Sequence, residues 1–99
     1  MPGFELVPEA EADLSEIWRY SFETWGEAQA DRYFDDILSC FEAIATGRAK
    51  TKALTDILPD IHVHRCRYHR IFFLPERPVV ILAIFHERMD LIARLSDRL

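Results

Sequence analysis

Four arginines, a histidine and a glutamate in the second half of the chain are the residues best suited to chemistry. They are Arg65, Arg67, Arg70 and Arg88, with His86 and Glu87 beside the last of them. Cleavage of RNA needs a base for the 2′-hydroxyl proton, an acid for the leaving oxygen and cations for the phosphate charge. Arg65, Arg67, His86 and Arg88, with Glu87 as a further acid or base, are the set that could meet those needs. His86 and Glu87 are adjacent, so on a continuing strand they face opposite ways, and a turn is needed to bring them together. The plainer reading makes His86 a strand-end residue bonded to a backbone carbonyl. We favour it and assign no catalytic residue.

A second constellation is His62, His64 and Cys66, which share one face of an alternating segment. That spacing can bind zinc, with His69 or His86 as a fourth ligand. The plainer reading is a half-exposed strand rich in histidine, since metal sites drawn from one strand are uncommon. No metal and no cofactor are expected.

The charge pattern bears on both readings. The 99 residues carry a net charge of −5. Residues 1–47 hold eleven acids against Arg19 and Arg32, a balance of −9, and residues 48–99 hold ten bases against six acids, a balance of +4. Any phosphate-binding surface must therefore lie on the second half, while the chain as a whole repels nucleic acid at long range. The opening MPGFELVPEAEADL has neither a basic start nor a long apolar run, so it does not read as a secretory signal. No apolar stretch reaches the length of about 18 residues that a membrane span needs. The cytoplasm is the expected compartment. Cys40 and Cys66, far apart and outside any CxxC motif, are expected to be reduced and mostly buried.

The elements that must position these residues follow from periodicity. Phe4–Val7 is a short strand. Pro8 suits the first turn of a helix, and Glu9, Glu11 and Asp13 suit the positive end of its dipole. Ala10, Leu14, Ile17, Trp18, Phe22 and Trp25 recur at three- and four-residue steps as one apolar face, and Gly26 ends the helix. A second helix starts near Glu27. It carries Ala30, Tyr33, Phe34, Ile37, Cys40, Phe41 and Ile44 on its apolar face and stops at Gly47. The single glycine between them predicts a helical hairpin, acidic on its solvent side, with Trp18, Phe22, Trp25 and Tyr33 most simply in its core.

Residues 48–60 read as a connection with room for a short helical turn. Three strands follow, Ile61–Arg67, Arg70–Leu74 and Val79–Phe85, joined by short links into an antiparallel meander. Residues 89–99 read as a short helix or a tail. The whole is one α+β domain spanning 1–99, in the order β-α-α-β-β-β, with a mainly antiparallel sheet and the hairpin packed on one face. Val79–Phe85 is apolar without interruption and asks for cover on both faces. One hairpin covers one face, so the other must be shielded by the C-terminal segment, a second copy or another protein. The expectation is that a second polypeptide is needed and that the chain alone is poorly soluble.

The run PEAEADLSEIWRYSFETWGEAQADRY, the later HRIFF and the terminal ILAIFHERMDL are similar to the ParE toxins of the ParE/RelE superfamily. These are the toxic halves of bacterial toxin–antitoxin pairs, once described as plasmid stabilisation proteins. The resemblance covers nearly the whole chain. It departs at Val7, where members often place Ser or Thr, and in TGRAKTKALTDILPDI, which lacks the family's Asn-Pro and Gly-Arg pattern.

The resemblance implies a non-enzymatic toxin that acts on DNA gyrase. A ParD-like antitoxin would neutralise it in a hetero-oligomer, and DNA contact would be made only through the antitoxin. On that reading Trp18, Phe22, Arg65, Arg67, Arg70, Phe72 and Leu74 face the antitoxin, and Arg88, Met89, Asp90 and Leu95 face the target. The other branch of the superfamily implies a RelE-like ribosome-dependent mRNA interferase. A third reading is a toxin-like protein that only binds its antitoxin.

Overall fold

The computed structural model describes residues 3–54 and 60–99. In chain order these form β1 (Phe4–Leu6), α1 (Pro8–Trp25), α2 (Glu27–Ala45), β2 (Lys52–Ala53), β3 (His62–Cys66), β4 (His69–Leu74), β5 (Val79–His86) and α3 (Leu91–Arg98). The five strands make one sheet in the order β1-β5-β4-β3-β2. β1 runs parallel to β5, and the other neighbours are antiparallel. The α+β class and the order of elements along the chain expected from periodicity hold, with β2 as an addition inside the connection. Residues 55–59 of that connection lie outside the described residues.

Local chemistry explains the hairpin. Pro8 opens α1 with no side-chain cap from Val7, and Glu9 and Glu11 sit in its first turn. Gly26 links the helices at φ 92°, a left-handed value open to glycine at little cost. The inward stripe of α1 is rotated from the one expected. Ala10 and Ser21 are buried and Leu14 and Ile17 pack on the core, whereas Phe22 and Trp25 are exposed. Ser21 can turn inward because its hydroxyl donates to the Ile17 carbonyl at 2.8 Å. Small residues on this stripe, with Ala30 buried on α2, let the helices pack closely and leave the bulky aromatics outside.

The hairpin covers one face of the sheet. Ile37, Phe41 and Ile44 meet Ile71, Phe73, Val79, Ile81 and Ile84 in the larger core. The continuous apolar character of β5 has a structural reason beyond burial on both sides. Phe72 pairs with Ala83 but Phe73 pairs with Ile81, so Leu82 is an extra residue in a β-bulge. Beyond it the alternation is reset, placing Ile84 under the helices and Ala83 and Phe85 on the opposite face.

That opposite face is covered by this chain itself. Ile61, Phe72, Ala83 and Phe85 form a second core with Leu95 of α3, which has no exposed surface, and Leu91 packs against its margin. The expected need for a second polypeptide to hide this apolar face is corrected. Eight residues of amphipathic helix, capped where Asp90 accepts the Ala93 amide at 3.3 Å, suffice for the centre of the face. The cysteine expectation is corrected as well. Cys40 of α2 and Cys66 of β3 are joined in a disulfide, because the strand and helix that carry them pack face to face.

Candidate partner-binding surface

The polar residues singled out above gather at one end of the sheet, where β3 turns into β4 and β5 ends. Cys66 pairs with His69, so Arg67 and Tyr68 alone make the turn. Arg67 adopts φ 54°, a left-handed conformation that costs a non-glycine residue about 1 kcal/mol. Its guanidinium Nε donates to Asp36 Oδ2 at 2.9 Å, tying the turn to α2. The Glu87 amide donates to the Tyr68 carbonyl at 2.8 Å and ties the same turn to β5.

On the side of the sheet facing the helices, His69 and His86 sit in register with their rings edge to face, 5.2 Å apart. The Tyr33 hydroxyl lies 2.6 Å from His69 Nδ1. Burial, helped by the neighbouring His86, lowers the His69 pKa to about 4. His69 is therefore neutral at pH 7, and the Nε2–H tautomer lets Nδ1 accept the tyrosine hydroxyl hydrogen bond. Burial also raises the Tyr33 pKa, which keeps the phenol protonated as donor. His86 Nδ1 accepts the Arg88 amide at 3.1 Å. The expected strand-end role holds, with a backbone amide as partner in place of a carbonyl.

On the other side of the sheet, Arg65 stands opposite Arg70, and Arg70 opposite Phe85. Glu87 lies 3.3 Å from Arg70 and 4.0 Å from Arg65 through the same oxygen. One carboxylate thus serves two guanidiniums. Arg88 and Met89 are exposed just beyond, as is Tyr68 in the turn.

A second exposed surface lies on the hairpin. Trp18 and Phe22 stack at 5.2 Å, and Trp18 Nε1 donates to Asp31 at 3.2 Å across the two helices. Tyr20 and Trp25 meet edge to face at 5.9 Å. Phe22, Trp25 and Tyr20 are 44%, 56% and 63% exposed. Phe22 is thus on the surface and Trp18 half-buried beside it, and neither belongs to the buried hairpin core.

The proposed residue sets are divided by this geometry. Arg65 and His86 are on opposite sides of the sheet, and Arg67 is engaged by Asp36, so the nuclease set Arg65, Arg67, His86 and Arg88 does not converge. Cys66 is lost to the zinc alternative through its disulfide, and His64 Nδ1 donates to the Lys50 carbonyl at 2.7 Å. No group of three metal-binding side chains occurs among the described residues. Of the residues expected to face an antitoxin, Phe22, Arg65 and Arg67 are exposed, and Trp18 and Arg70 are half-buried. Phe72 is buried and Leu74 half-buried in the second core. Of those expected to face the target, Arg88, Met89 and Asp90 are exposed, Asp90 serves as the α3 cap, and Leu95 is buried. Phe72 and Leu95 are corrected to core residues in this conformation.

Sequence reasoning missed the Tyr33–His69–His86 contact. Counting back from the β4–β5 turn with the register Leu74 to Val80 puts His69 opposite Phe85. Only the bulge at Leu82 moves it to His86.

The comparisons with known proteins agree with this architecture. The family model described as the ParE toxin of the type II toxin–antitoxin system parDE matches residues 4–91. Toxin ParE of Escherichia coli is 41% identical over 101 residues, covering 100% of this chain and 98% of that one. Toxin ParE1 of Caulobacter vibrioides is 27% identical over 96 residues, covering 97% and 100%. A solved structure described as the chromosomal ParDE TA system from P. aeruginosa has a TM-score of 0.69 at 16% identity. It covers 84% of this chain and 92% of its own, and it shares the fold.

Proposed function

Since the chain belongs to the ParE toxin family of type II toxin–antitoxin systems, we propose that it is a toxin that acts by binding DNA gyrase. A ParD-like antitoxin holds it inactive in a cytoplasmic hetero-oligomer, and any DNA contact is made through the antitoxin. The observation that carries this reading is the pair of partner-ready surfaces on so small a protein. One is the aromatic surface of the hairpin, with the Trp18–Phe22 and Tyr20–Trp25 pairs. The other is the arginine-rich end of the sheet. Aromatic residues and arginine are the side chains that anchor interfaces most often. The antitoxin surface is Trp18, Phe22, Arg65, Arg67 and Arg70, and the target surface is Arg88, Met89 and Asp90.

A non-catalytic action is supported by the separation of His86 from Arg65 across the sheet. In-line cleavage needs base and cations around one phosphate. The test is parallel exposure of purified toxin to gyrase supercoiling and to ribosome-bound message. Blocked supercoiling with intact message is expected. Cut message with normal supercoiling would overturn the reading in favour of an mRNA interferase. Unimpaired growth on expression without antitoxin would favour the inactive binder.

A further inference from the structure

Arg65 and Arg70 are directly opposed on neighbouring antiparallel strands. Like charges in that position repel and destabilise a sheet. Arg70 is largely withdrawn from solvent, its side chain 25% exposed, which sharpens the repulsion. Glu87, its own side chain 30% exposed, is hydrogen-bonded to Arg70, and the same oxygen lies 4.0 Å from the solvent-exposed Arg65, so one negative charge faces two positive ones and engages one of them closely. The backbone of Glu87 is pinned by its bond to Tyr68, which holds the carboxylate at the rim of the pair. Arg67 is already matched by Asp36, while Arg88 adds a further exposed cation nearby. The site therefore keeps an excess of positive charge and a forked donor set that one carboxylate leaves partly unused.

We propose that Arg65 and Arg70 form a receptor for a carboxylate of the antitoxin, and that Glu87 is the internal stand-in which that carboxylate displaces. This deepens, and rests on, the antitoxin-bound reading above. An acidic peptide suits the site better than nucleic acid. The present occupant of the site is a carboxylate, which an acidic peptide side chain reproduces, and the chain's net charge of −5 opposes the denser charge of a nucleic acid. The arrangement gives the free toxin a self-satisfied site and makes release of Glu87 part of every binding event.

The experiment uses the toxin co-expressed with the antitoxin encoded beside it, and measures dissociation of the purified complex for wild type, Glu87→Gln, Arg70→Gln and the double variant. Melting curves establish that each variant is folded. Arg70→Gln is expected to weaken the complex roughly 30-fold, the loss typical of removing one member of a hydrogen-bonded charge pair. Glu87→Gln is expected to tighten it roughly 5-fold, because the competing carboxylate is gone. In the Arg70→Gln background, Glu87→Gln should change affinity much less. A Glu87→Gln complex that is unchanged or weaker overturns the proposal while leaving the toxin reading intact. Failure of the folded wild type to bind the antitoxin overturns both. Displacement of the antitoxin from Glu87→Gln toxin by a single-stranded oligonucleotide, but not by a poly-glutamate peptide, would assign the arginines to phosphate and overturn the carboxylate.

Discussion

Asp13 and Arg98 lie 85 residues apart in the chain and meet as a two-pronged ion pair, with both nitrogen–oxygen distances at 3.0 Å. Both side chains are at most 20% exposed. Asp13 Oδ2 also accepts the Ile84 amide at 3.0 Å, and Arg98 donates to the Leu82 carbonyl at 3.1 Å while lying over the Phe85 ring. β1 pairs with β5 only as far as Ile81, so these side chains close the part of the β5 edge that β1 leaves open. The same pair fastens α3 to α1. Its hydrogen bond to Asp13 raises the Arg98 pKa further above neutrality.

Breaking this clamp should loosen α3 and strand a carboxylate among backbone groups. Arg98→Leu is expected to cost about 2–3 kcal/mol, and to lower the melting temperature by about 10 °C in a chain of this size. Thermal and urea melts measure it. A loss within about 0.5 kcal/mol of zero would mean the pair is a solvated surface contact.

Leu95 tests the cover over the second face. It is fully buried against Phe72, Ala83 and Phe85. Leu95→Ala should cost about 3 kcal/mol through lost burial and the cavity left behind. It should also raise binding of a hydrophobic dye, because Phe72 and Phe85 lie beneath. A variant as stable and as dye-silent as wild type would show that α3 does not seal this face.

The Cys40–Cys66 bridge closes a separation of 26 residues between α2 and β3. In the chain-entropy account such a loop contributes about 3.5 kcal/mol by restricting the unfolded state. Protein unfolded without reductant should show no titratable thiol, and dithiothreitol should lower the melting temperature. Two thiols per chain in the isolated protein would refute the bridge.

Phe22 separates binding from folding. Its ring stacks on Trp18 but is 44% exposed. Phe22→Ser should change folding stability by no more than about 0.5–1 kcal/mol, yet weaken an antitoxin complex by about 2 kcal/mol if this aromatic patch is an anchor. Calorimetric titration beside a melting curve separates the two. Equal affinity for wild type and variant would remove the hairpin from the interface.

Periodicity revealed the hairpin, the meander and the two-sided demand of β5, because each is a local pattern of period 3.6 or 2. What it hid depends on long-range placement. The Asp13–Arg98 clamp joins the two ends of the chain, and no spacing announces it. The inward stripe of α1 differs from the expected one because Trp18 and Phe22 outweigh Ala10 and Ser21 in any hydrophobic count, yet helix–helix contact selects for small size. Arg65, Arg67 and Arg70 gather at one end of the sheet. Their division between the Asp36 pair and the Glu87 pair needed the register of three strands.

His69 makes stability depend on pH in a calculable direction. Its pKa in the folded protein is about 4, below the ordinary value of 6.5, because burial disfavours the cation. The unfolded chain therefore binds the proton first as pH falls. The stabilisation is fully present above pH 6.5 and shrinks through the window down to about 4, at up to about 1.4 kcal/mol per pH unit. Below that window both states are protonated and the loss stops growing. His69→Gln keeps an acceptor for the Tyr33 hydroxyl but cannot titrate. Its urea-derived stability should fall less than that of wild type between pH 6.5 and 4.5, where the carboxylates affect both proteins alike. A directly observed His69 titration near pH 6.5 in the folded protein, or parallel pH profiles for the two proteins, would show that the ring is solvated and that its contact with Tyr33 is not maintained.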